Sequence, residues 1–242
     1  MLRFLLFFLL LFSAVATHGQ ESDFVPLFNG NDLDGWVQAG GKAIYRVENG
    51  VIVGESVANT PNSFLCTKKL YGDFVFEYEY KCDDKLNYGV QIRSNVYAIP
   101  ITIEGKGKSK SIPAGRVHGY QVEIDPNKPD RMWSGGIYDE GRRGWLFPGA
   151  AGGNAAKFTE VGKSTFKPNQ WNSVRVECKG TRIRTWLNGQ PRADFTDGMT
   201  PKGLIALQVH GVGKHPEAVG KTVMWRNLRI KQMPSESSGE TR

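Results

Sequence analysis

Short runs of alternating apolar and polar residues recur along most of the chain, and they constrain its fold more than any other feature. The clearest cover residues 74–81, 88–94, 119–125 and 204–210. An alternation of period two is typical of strands that bury one face of a sheet. Similar but less regular runs predict further strands at residues 43–47, 51–54, 63–67, 135–138, 173–178, 182–187 and 222–231.

Turn signals and composition support the same fold class. Asn49-Gly50 separates two predicted strands and Asn188-Gly189 follows another, and both are strong hairpin signals. The chain has 29 Gly and 12 Pro but only 5 Met in 242 residues, and no segment has a convincing amphipathic helix pattern. We therefore predict an all-β fold, an antiparallel two-sheet jelly-roll sandwich.

The first 16 residues have the features of an export signal. Arg3 supplies a positive charge, residues 4–12 are continuously apolar, and Ala14-Val15-Ala16 resembles a cleavage site. We predict a signal peptide at 1–16, a linker at 17–23, one domain at 24–231 and a disordered tail at 232–242. The mature protein would be periplasmic or secreted, with no membrane span; an uncleaved anchor is the alternative.

The distribution of charge indicates which classes of partner are expected. The formal net charge is +7, but the basic residues are dispersed, and no recognition helix or aromatic platform accompanies them. A nucleic-acid partner is therefore not expected, and no obligate protein partner is evident.

Cys66, Cys82 and Cys178 lack metal-ligand spacing. Export permits one disulfide among them, and three buried thiols are equally compatible with the sequence.

Two long glycine-rich segments, residues 104–118 and 140–162, separate groups of predicted strands. Loops of this length without structure of their own are uncommon in compact domains and often carry function. We expect either binding loops or tolerated surface insertions at these positions.

Strand alternation places a set of polar side chains on one sheet face. Gln121, Glu123 and Asp125 point the same way in one strand. By the same alternation, Gln91 and Arg93 share a face in a second strand, and Gln208 and His210 share one in a third. Aromatic residues lie in or beside these strands, namely Tyr120, Trp133, Tyr138 and Trp145. Carboxylates and amides bind hydroxyl groups and aromatic faces stack on sugar rings, so a carbohydrate site is favoured over an ordinary solvated face.

An ordinary retaining glycosidase fits this face poorly. That mechanism needs two carboxylates at a defined separation across the sugar. The Glu123-Ile-Asp125 segment supplies part of such a pattern, but Pro126-Asn127-Lys128 follows it, and a second Glu on the strand is missing.

Several motifs together resemble one family. They are residues 24–36 (FVPLFNGNDLDGW), 45–54 (YRVENGVIVG), 87–93 (NYGVQIR), 119–125 (GYQVEID), 134–145 (SGGIYDEGRRGW), 205–211 (IALQVHG) and 223–230 (VMWRNLRI). The chain resembles the 3-keto-disaccharide hydrolase domain family over nearly all of residues 24–231. Tyr88 replaces the usual Ser of its motif, and the Gln121 and Glu123 positions are reversed relative to many members. The resemblance implies a concanavalin A-like sandwich.

The resemblance also implies a chemistry. In a 3-keto-glycoside the proton on C2 is acidified, so a base can remove it and the C1 aglycone leaves by elimination, with or without later addition of water. On this reading Glu123 or His210 is the base, Arg93 stabilises the enolate, and Tyr138 or His210 protonates the aglycone. The substrate-binding residues would be Gln91, Gln121, Asp125, Gln208, Trp133 and Trp145.

Two alternatives stay open at this point. A divalent metal ion bound by Glu123, Asp125 and His210 could replace Arg93, although no contiguous metal motif is present and no cofactor is otherwise indicated. A non-catalytic carbohydrate-binding module would have the same fold and aromatic residues, but would need no base near a ring proton. In both readings the partner is a small carbohydrate.

Overall fold

A computed structural model of the protein describes residues 23–105 and 108–234. The predicted signal peptide, the linker up to residue 22 and the tail from residue 235 lie outside the described residues. Within them, no helix combines the length and the apolar character that would let it cross a bilayer.

The described elements are almost all strands. In chain order they are β1 (Val25–Pro26), β2 (Trp36–Gly40), β3 (Ile44–Glu48), β4 (Val51–Glu55), β5 (Ser63–Thr67), β6 (Phe74–Cys82), β7 (Tyr88–Asn95), β8 (Ile101–Gly105), β9 (Lys108–Ile112), β10 (His118–Ile124), β11 (Ile137–Glu140), β12 (Gly144–Phe147), α1 (Ala155–Thr165), β13 (Asn172–Lys179), β14 (Arg182–Leu187), β15 (Gln190–Thr196), β16 (Leu204–Val209) and β17 (Thr222–Gln232). A short 3-10 turn, Pro216–Ala218, precedes β17.

The strands form two large antiparallel sheets and one small hairpin. The eight-stranded sheet has the order β15-β14-β13-β6-β17-β4-β3, with β1 paired to β17. The seven-stranded sheet has the order β12-β11-β10-β7-β16-β5-β2, and β8 pairs with β9. The all-β two-sheet sandwich expected from the sequence is therefore confirmed.

The main core lies between the two sheets, and strand alternation predicts its composition well. Val90, Ile92, Tyr120, Val122 and Ile124 from the seven-stranded sheet are fully buried in it. They pack with buried aromatic residues of β6 and with Trp225 of β17. At about 25 cal/mol per Å² of apolar surface, this interior is the dominant stabilising contribution to the fold.

The segment 140–162 is more ordered than predicted, and the expectation that no helix is present was wrong. Strand β12 and most of α1 lie in this segment. The Asn154 side chain caps α1 by accepting a hydrogen bond of 2.9 Å from the Lys157 backbone N–H. Gly162 is unfavourable in a helix and therefore argued against one in the sequence. A glycine is nevertheless needed here, because a Cβ would lie 2.0 Å from the Met132 carbonyl oxygen. Likewise, segment 104–118 contains strand β9 rather than an unstructured loop.

The three cysteines are buried and unpaired. Burial raises the pKa of each thiol to about 12. The disulfide that export would permit is therefore not formed, and the thiols are part of the packed interior.

Candidate active site

A polar cleft of about 680 Å³ lies on the face of the seven-stranded sheet that points away from the main core. It is not the largest depression, because one of about 890 Å³ lies against the other sheet. That larger depression contains Glu77, Glu79 and Arg229, which are held in ion pairs with one another or with further arginines. The polar cleft is the stronger candidate because it contains a buried carboxyl group that forms no ion pair with any of the described residues.

That carboxyl group belongs to Glu123 at the centre of the cleft. Glu123 is 5% exposed and accepts a hydrogen bond of 2.8 Å from Gln121 Nε2 and a second from Asn87 Nδ2. Burial raises the pKa of Glu123 to about 8, although the two hydrogen bonds oppose this rise. Asp125 and Glu140 add a smaller upward effect on the pKa through their negative charge. A carboxyl group with such a pKa can exchange a proton near neutral pH.

A chain of hydrogen bonds fixes the side chain of Gln121. Its Oε1 accepts from Gln91 Nε2 at 2.6 Å, and Gln91 Oε1 accepts from the Ser94 hydroxyl at 2.7 Å. Because Gln121 Oε1 is already an acceptor, its amide nitrogen is held towards Glu123. Gln121 lines the cleft, whereas Gln91 is fully buried beneath it and does not line the cleft. Gln91 therefore positions Gln121. The prediction that Gln91 itself holds a substrate hydroxyl does not agree with this buried position.

Strand register leaves a gap beside Glu123. Glu123 on β10 lies opposite Gly89 on β7, and Gly89 lies opposite Gln208 on β16. Gly89 provides room for the Gln121 side chain, since a Cβ there would lie 2.5 Å from Gln121 Cδ. Gln208 is fully buried and is not among the residues that line the cleft, and both polar atoms of its amide lack a partner among the described residues. A substrate could contact Gln208, as predicted, only if the residues packed over it moved.

Arg93 does not lie in the cleft, and the expectation that it shares a face with Gln91 was wrong. Its guanidinium donates to the carbonyl oxygens of Gly72 and Gly180 at 2.7 Å each and pairs with Asp73 at 2.7 Å. The cause is local, because Arg93 has a φ of 43° and the pairing register shifts nearby. An irregularity of this kind reverses the direction of a side chain relative to strict alternation. Arg93 is therefore too far from the cleft to stabilise an enolate there.

Asp125 and the two tryptophans are engaged with one arginine. Arg131 donates to both carboxylate oxygens of Asp125, at 2.7 and 2.8 Å. The same guanidinium lies 4.9 Å from the ring centre of Trp145 and 5.1 Å from that of Trp133. Trp133 also donates to Thr159 on α1 at 2.9 Å. Of the two predicted stacking residues, Trp145 lines the cleft and Trp133 does not.

Tyr138 and Glu140 project from β11 into the same cleft. Burial, and then the charges of Glu140 and Glu123, raise the pKa of Tyr138, so its hydroxyl stays protonated at neutral pH. Glu140 accepts a hydrogen bond of 2.8 Å from Arg116 Nη2. Tyr138 was predicted as a site residue, whereas Glu140, which follows it at the same strand alternation, was overlooked.

His210 lies at the exposed rim, just after β16, and it lines the cleft as predicted. Its Nδ1 is 2.7 Å from the Gly211 carbonyl oxygen. Because a carbonyl can only accept, Nδ1 must carry the hydrogen, which leaves Nε2 of the neutral ring with a free lone pair. This tautomer allows His210 to accept a proton from a ligand.

Three further residues of the cleft were not predicted from the sequence. Asn87, Arg116 and Arg131 all line it. Asn87 immediately precedes β7 and is the first residue of the 87–93 motif, so the motif itself is a sequence signal for its position. Arg116 and Arg131 lie outside the strands, where alternation gives no information about direction.

The residues considered for a metal do not form a ready ligand set. Both oxygens of Asp125 are bound by Arg131, and both oxygens of Glu123 accept hydrogen bonds from amides. Among the described residues no group of three or more His, Cys, Asp or Glu side chains is arranged to hold a metal ion. The donor set therefore does not fit the ion considered from the sequence.

Solved structures share the fold at low sequence identity. A proposed glycosyl hydrolase from Parabacteroides distasonis is 20% identical, with a TM-score of 0.52 over 87% of this chain and 94% of the other. A Bacillus subtilis protein of unknown function with a galectin-like fold is 11% identical, with a TM-score of 0.56 over 88% and 96% of the two chains. The exoplasmic domain of VIP36, solved with Ca²⁺ and Man3GlcNAc, is 10% identical, with a TM-score of 0.50 over 91% and 92%.

Sequence comparison identifies the family. No match was found among curated proteins. The family model described as the 3-keto-alpha-glucoside-1,2-lyase-like domain matches residues 23–231. This match covers all seven motifs on which the resemblance was based and confirms it. The chain belongs to the 3-keto-alpha-glucoside-1,2-lyase-like domain family.

Proposed function

We propose that this protein is an exported enzyme that cleaves the glycosidic bond of 3-keto-glycosides. The observation that carries the proposal is Glu123, a buried carboxyl group in a cleft able to hold a sugar ring. Its pKa is raised to about 8, and within residues 23–105 and 108–234 it has no ion-pair partner. Family membership supports the same chemistry, because the family is described by a 1,2-lyase activity on 3-keto-glucosides.

The proposed reaction begins with removal of the C2 proton by Glu123. The C2–H electron pair forms a C2=C3 bond, and negative charge develops on O3 as an enolate. When the C3 ketone reforms, the electrons shift to make a C1=C2 bond and the C1–O bond to the aglycone breaks. A proton donor then neutralises the departing oxygen. Addition of water to the C1=C2 bond would convert this elimination into net hydrolysis.

The cleft offers residues for each step. Glu123 is the preferred base, because an environment that raises its pKa also makes its ionised form a stronger base than an ordinary carboxylate. Tyr138 is suited to donate the proton to the aglycone, since its hydroxyl stays protonated, and His210 can serve as the alternative acid or base. Arg116 replaces Arg93 as the proposed enolate stabiliser, because it lines the cleft and its side chain is 48% exposed.

This assignment has a definite pH dependence. A carboxyl group must be ionised before it can take a proton. With a Glu123 pKa of about 8, kcat/KM should therefore rise with pH and level off at higher pH than this. At pH 7 only about one tenth of Glu123 would be ionised. If Glu123 acted as the acid instead, kcat/KM would fall over the same range.

The direct test is cleavage of a 3-keto-glucoside and of its unoxidised parent, followed by mass measurement of the sugar product. We expect release from the keto compound alone, with a product lacking one water for a lyase and a hydrated product for a hydrolase. Glu123→Gln should lower kcat/KM by roughly a hundredfold or more, the usual contribution of a general base. Glu160→Gln on the exposed side of α1 is the matched control and should leave kcat/KM unchanged.

The same measurements separate the enzyme from a carbohydrate-binding module. Full activity of Glu123→Gln would refute the assignment of the base. Sugar binding without turnover of either compound would instead favour the binding module. Export is tested by expressing the full chain with its first 16 residues and sequencing the N-terminus of the mature protein.

A further inference from the structure

A second cleft, of about 700 Å³, lies beside the polar cleft on the seven-stranded sheet. Phe64 on β5, Ala39 on β2 and Val117 before β10 belong to one apolar cluster on that face and line the cleft. Val96 and Pro113, from the segment between β7 and β10, also line it. None of these residues has a role in the proposed reaction.

The two clefts adjoin each other. Four residues, Asn62, Arg116, Glu140 and Gly211, line both of them. The ion pair between Arg116 and Glu140 therefore marks a border that a ligand can contact from either side. A ligand whose reacting carbon lies near Glu123 can extend across this border into the second cleft.

Hydrogen bonds hold the wall of the second cleft in place. The backbone N–H of Gly211 donates to Asn62 Oδ1 at 2.9 Å, and that of Asn59 donates to the Gly213 carbonyl oxygen at 2.9 Å. Gly211 has no space for a side chain, since a Cβ would lie 2.6 Å from the Thr60 carbonyl oxygen. These bonds join the loop between β4 and β5 to the loop that follows β16, so the wall of the cleft is held in a defined position.

The lining of the two clefts differs in chemistry. Carboxyl and amide groups dominate around Glu123, whereas the second cleft has apolar side chains and polar groups mainly at its border. Every hydroxyl of a sugar ring that is removed from water needs a new hydrogen-bond partner, and an apolar lining provides few. An aromatic or other apolar ring has no such requirement and gains from burial of its surface.

We propose that the second cleft is the aglycone subsite, and that it selects apolar, ring-shaped aglycones over a second sugar. This inference rests on the proposed function and adds the class of leaving group to it. The sugar that carries the ketone occupies the polar cleft, and the glycosidic oxygen lies near the border formed by Arg116 and Glu140.

The test compares 3-keto-glucosides that carry a methyl, a glucosyl or a phenyl aglycone. Phenol is a better leaving group than methanol or a sugar hydroxyl, so part of any preference for the phenyl compound is independent of the cleft. We expect burial of the ring to add roughly tenfold to kcat/KM for the phenyl compound. Ala39→Trp should fill the cleft and remove this added factor while leaving the methyl compound unaffected. Val37→Trp is the matched control, because Val37 lies on the same strand face, is 54% exposed and lines neither cleft.

Each outcome has a separate meaning. Equal kcat/KM values for the phenyl and glucosyl compounds, or equal effects of the two tryptophan variants, overturn the subsite. If none of the three compounds is cleaved, the proposed function fails, and binding of unoxidised phenyl and methyl glucosides decides about the cleft. Tighter binding of the phenyl glucoside that Ala39→Trp removes and Val37→Trp retains supports an apolar ligand site, and equal binding overturns it. Ala114→Trp, at an exposed residue lining the same cleft, provides a second blocking variant if Ala39→Trp does not fold.

Discussion

Replacing Glu123 by Gln should stabilise the protein at alkaline pH and have little effect on stability in acid. Burial raises the pKa of Glu123 from 4.5 to about 8 in the folded protein. Between these values the folded state binds more protons than the unfolded state, so the free energy of unfolding falls as pH rises. Above pH 8 the wild-type protein must hold a buried carboxylate, whereas the Gln variant holds a neutral amide.

The size of the effect follows from the same pKa. A rise from 4.5 to about 8 corresponds to roughly 3–5 kcal/mol of unfolding free energy when it is fully expressed. The new amide fits the existing hydrogen bonds if Asn87 rotates its own amide to accept, since Gln121 is fixed by Gln91. We therefore expect a difference within about 1 kcal/mol at pH 5, where both side chains are neutral.

Urea unfolding of both proteins at pH 5 and pH 9 measures this difference directly. For a domain of this size, the expected gain at pH 9 corresponds to a midpoint temperature higher by about 10 °C. Glu160→Gln, exposed on α1, gives the background of a carboxyl-to-amide change. An equal effect of Glu123→Gln at the two pH values, or a more stable wild-type protein at pH 9, would refute the reasoning.

Three further substitutions test other parts of the structure. Arg93→Met should lower the free energy of unfolding by about 3–5 kcal/mol, measured in urea, because it leaves Asp73 and two carbonyl oxygens without their donor; retained kcat/KM in the folded protein would confirm that Arg93 acts only on stability. Gly89→Ala should displace the Gln121 amide and lower kcat/KM roughly tenfold. It should also move the rising part of the pH profile to higher pH, because Glu123 loses a donor that favours its ionised form. An unchanged pH profile would contradict this. Asn154→Ala should lower the free energy of unfolding by about 1 kcal/mol through loss of the α1 cap, with unchanged kcat/KM.

Sequence alternation predicts most of the fold because burial on one sheet face is a local property of each strand. Val90, Ile92, Tyr120 and Val122 all point into the core as expected. Alternation no longer gives the direction of a side chain where the backbone departs from regular geometry. Arg93 is the clearest case, because its positive φ cannot be read from the sequence. Alternation also has no period to detect in a short capped helix such as α1.

The candidate site was predicted only in part, because several of its contacts join distant segments. The positions of Glu123 and Tyr138 in the cleft follow from their strands. The coverage of Trp145 by Arg131 depends instead on a loop whose path the sequence does not reveal. Similarly, Gln91 has the residue type of a ligand-binding group, and only three-dimensional packing distinguishes it from Gln121 at the cleft surface.

The buried thiols give the protein an internal reporter of opening. With pKa values of about 12 and at most 6% exposure, Cys66, Cys82 and Cys178 should react very slowly with alkylating reagents while the fold is closed. Cys66 lies on β5 of the seven-stranded sheet, and Cys82 and Cys178 lie on β6 and β13 of the other. Cys82 and Cys178 lie in the main core between the sheets, whereas Cys66 lies in the apolar cluster on the outer face of the seven-stranded sheet. Alkylation followed site by site would therefore report whether the main core and this outer cluster open together or one after the other.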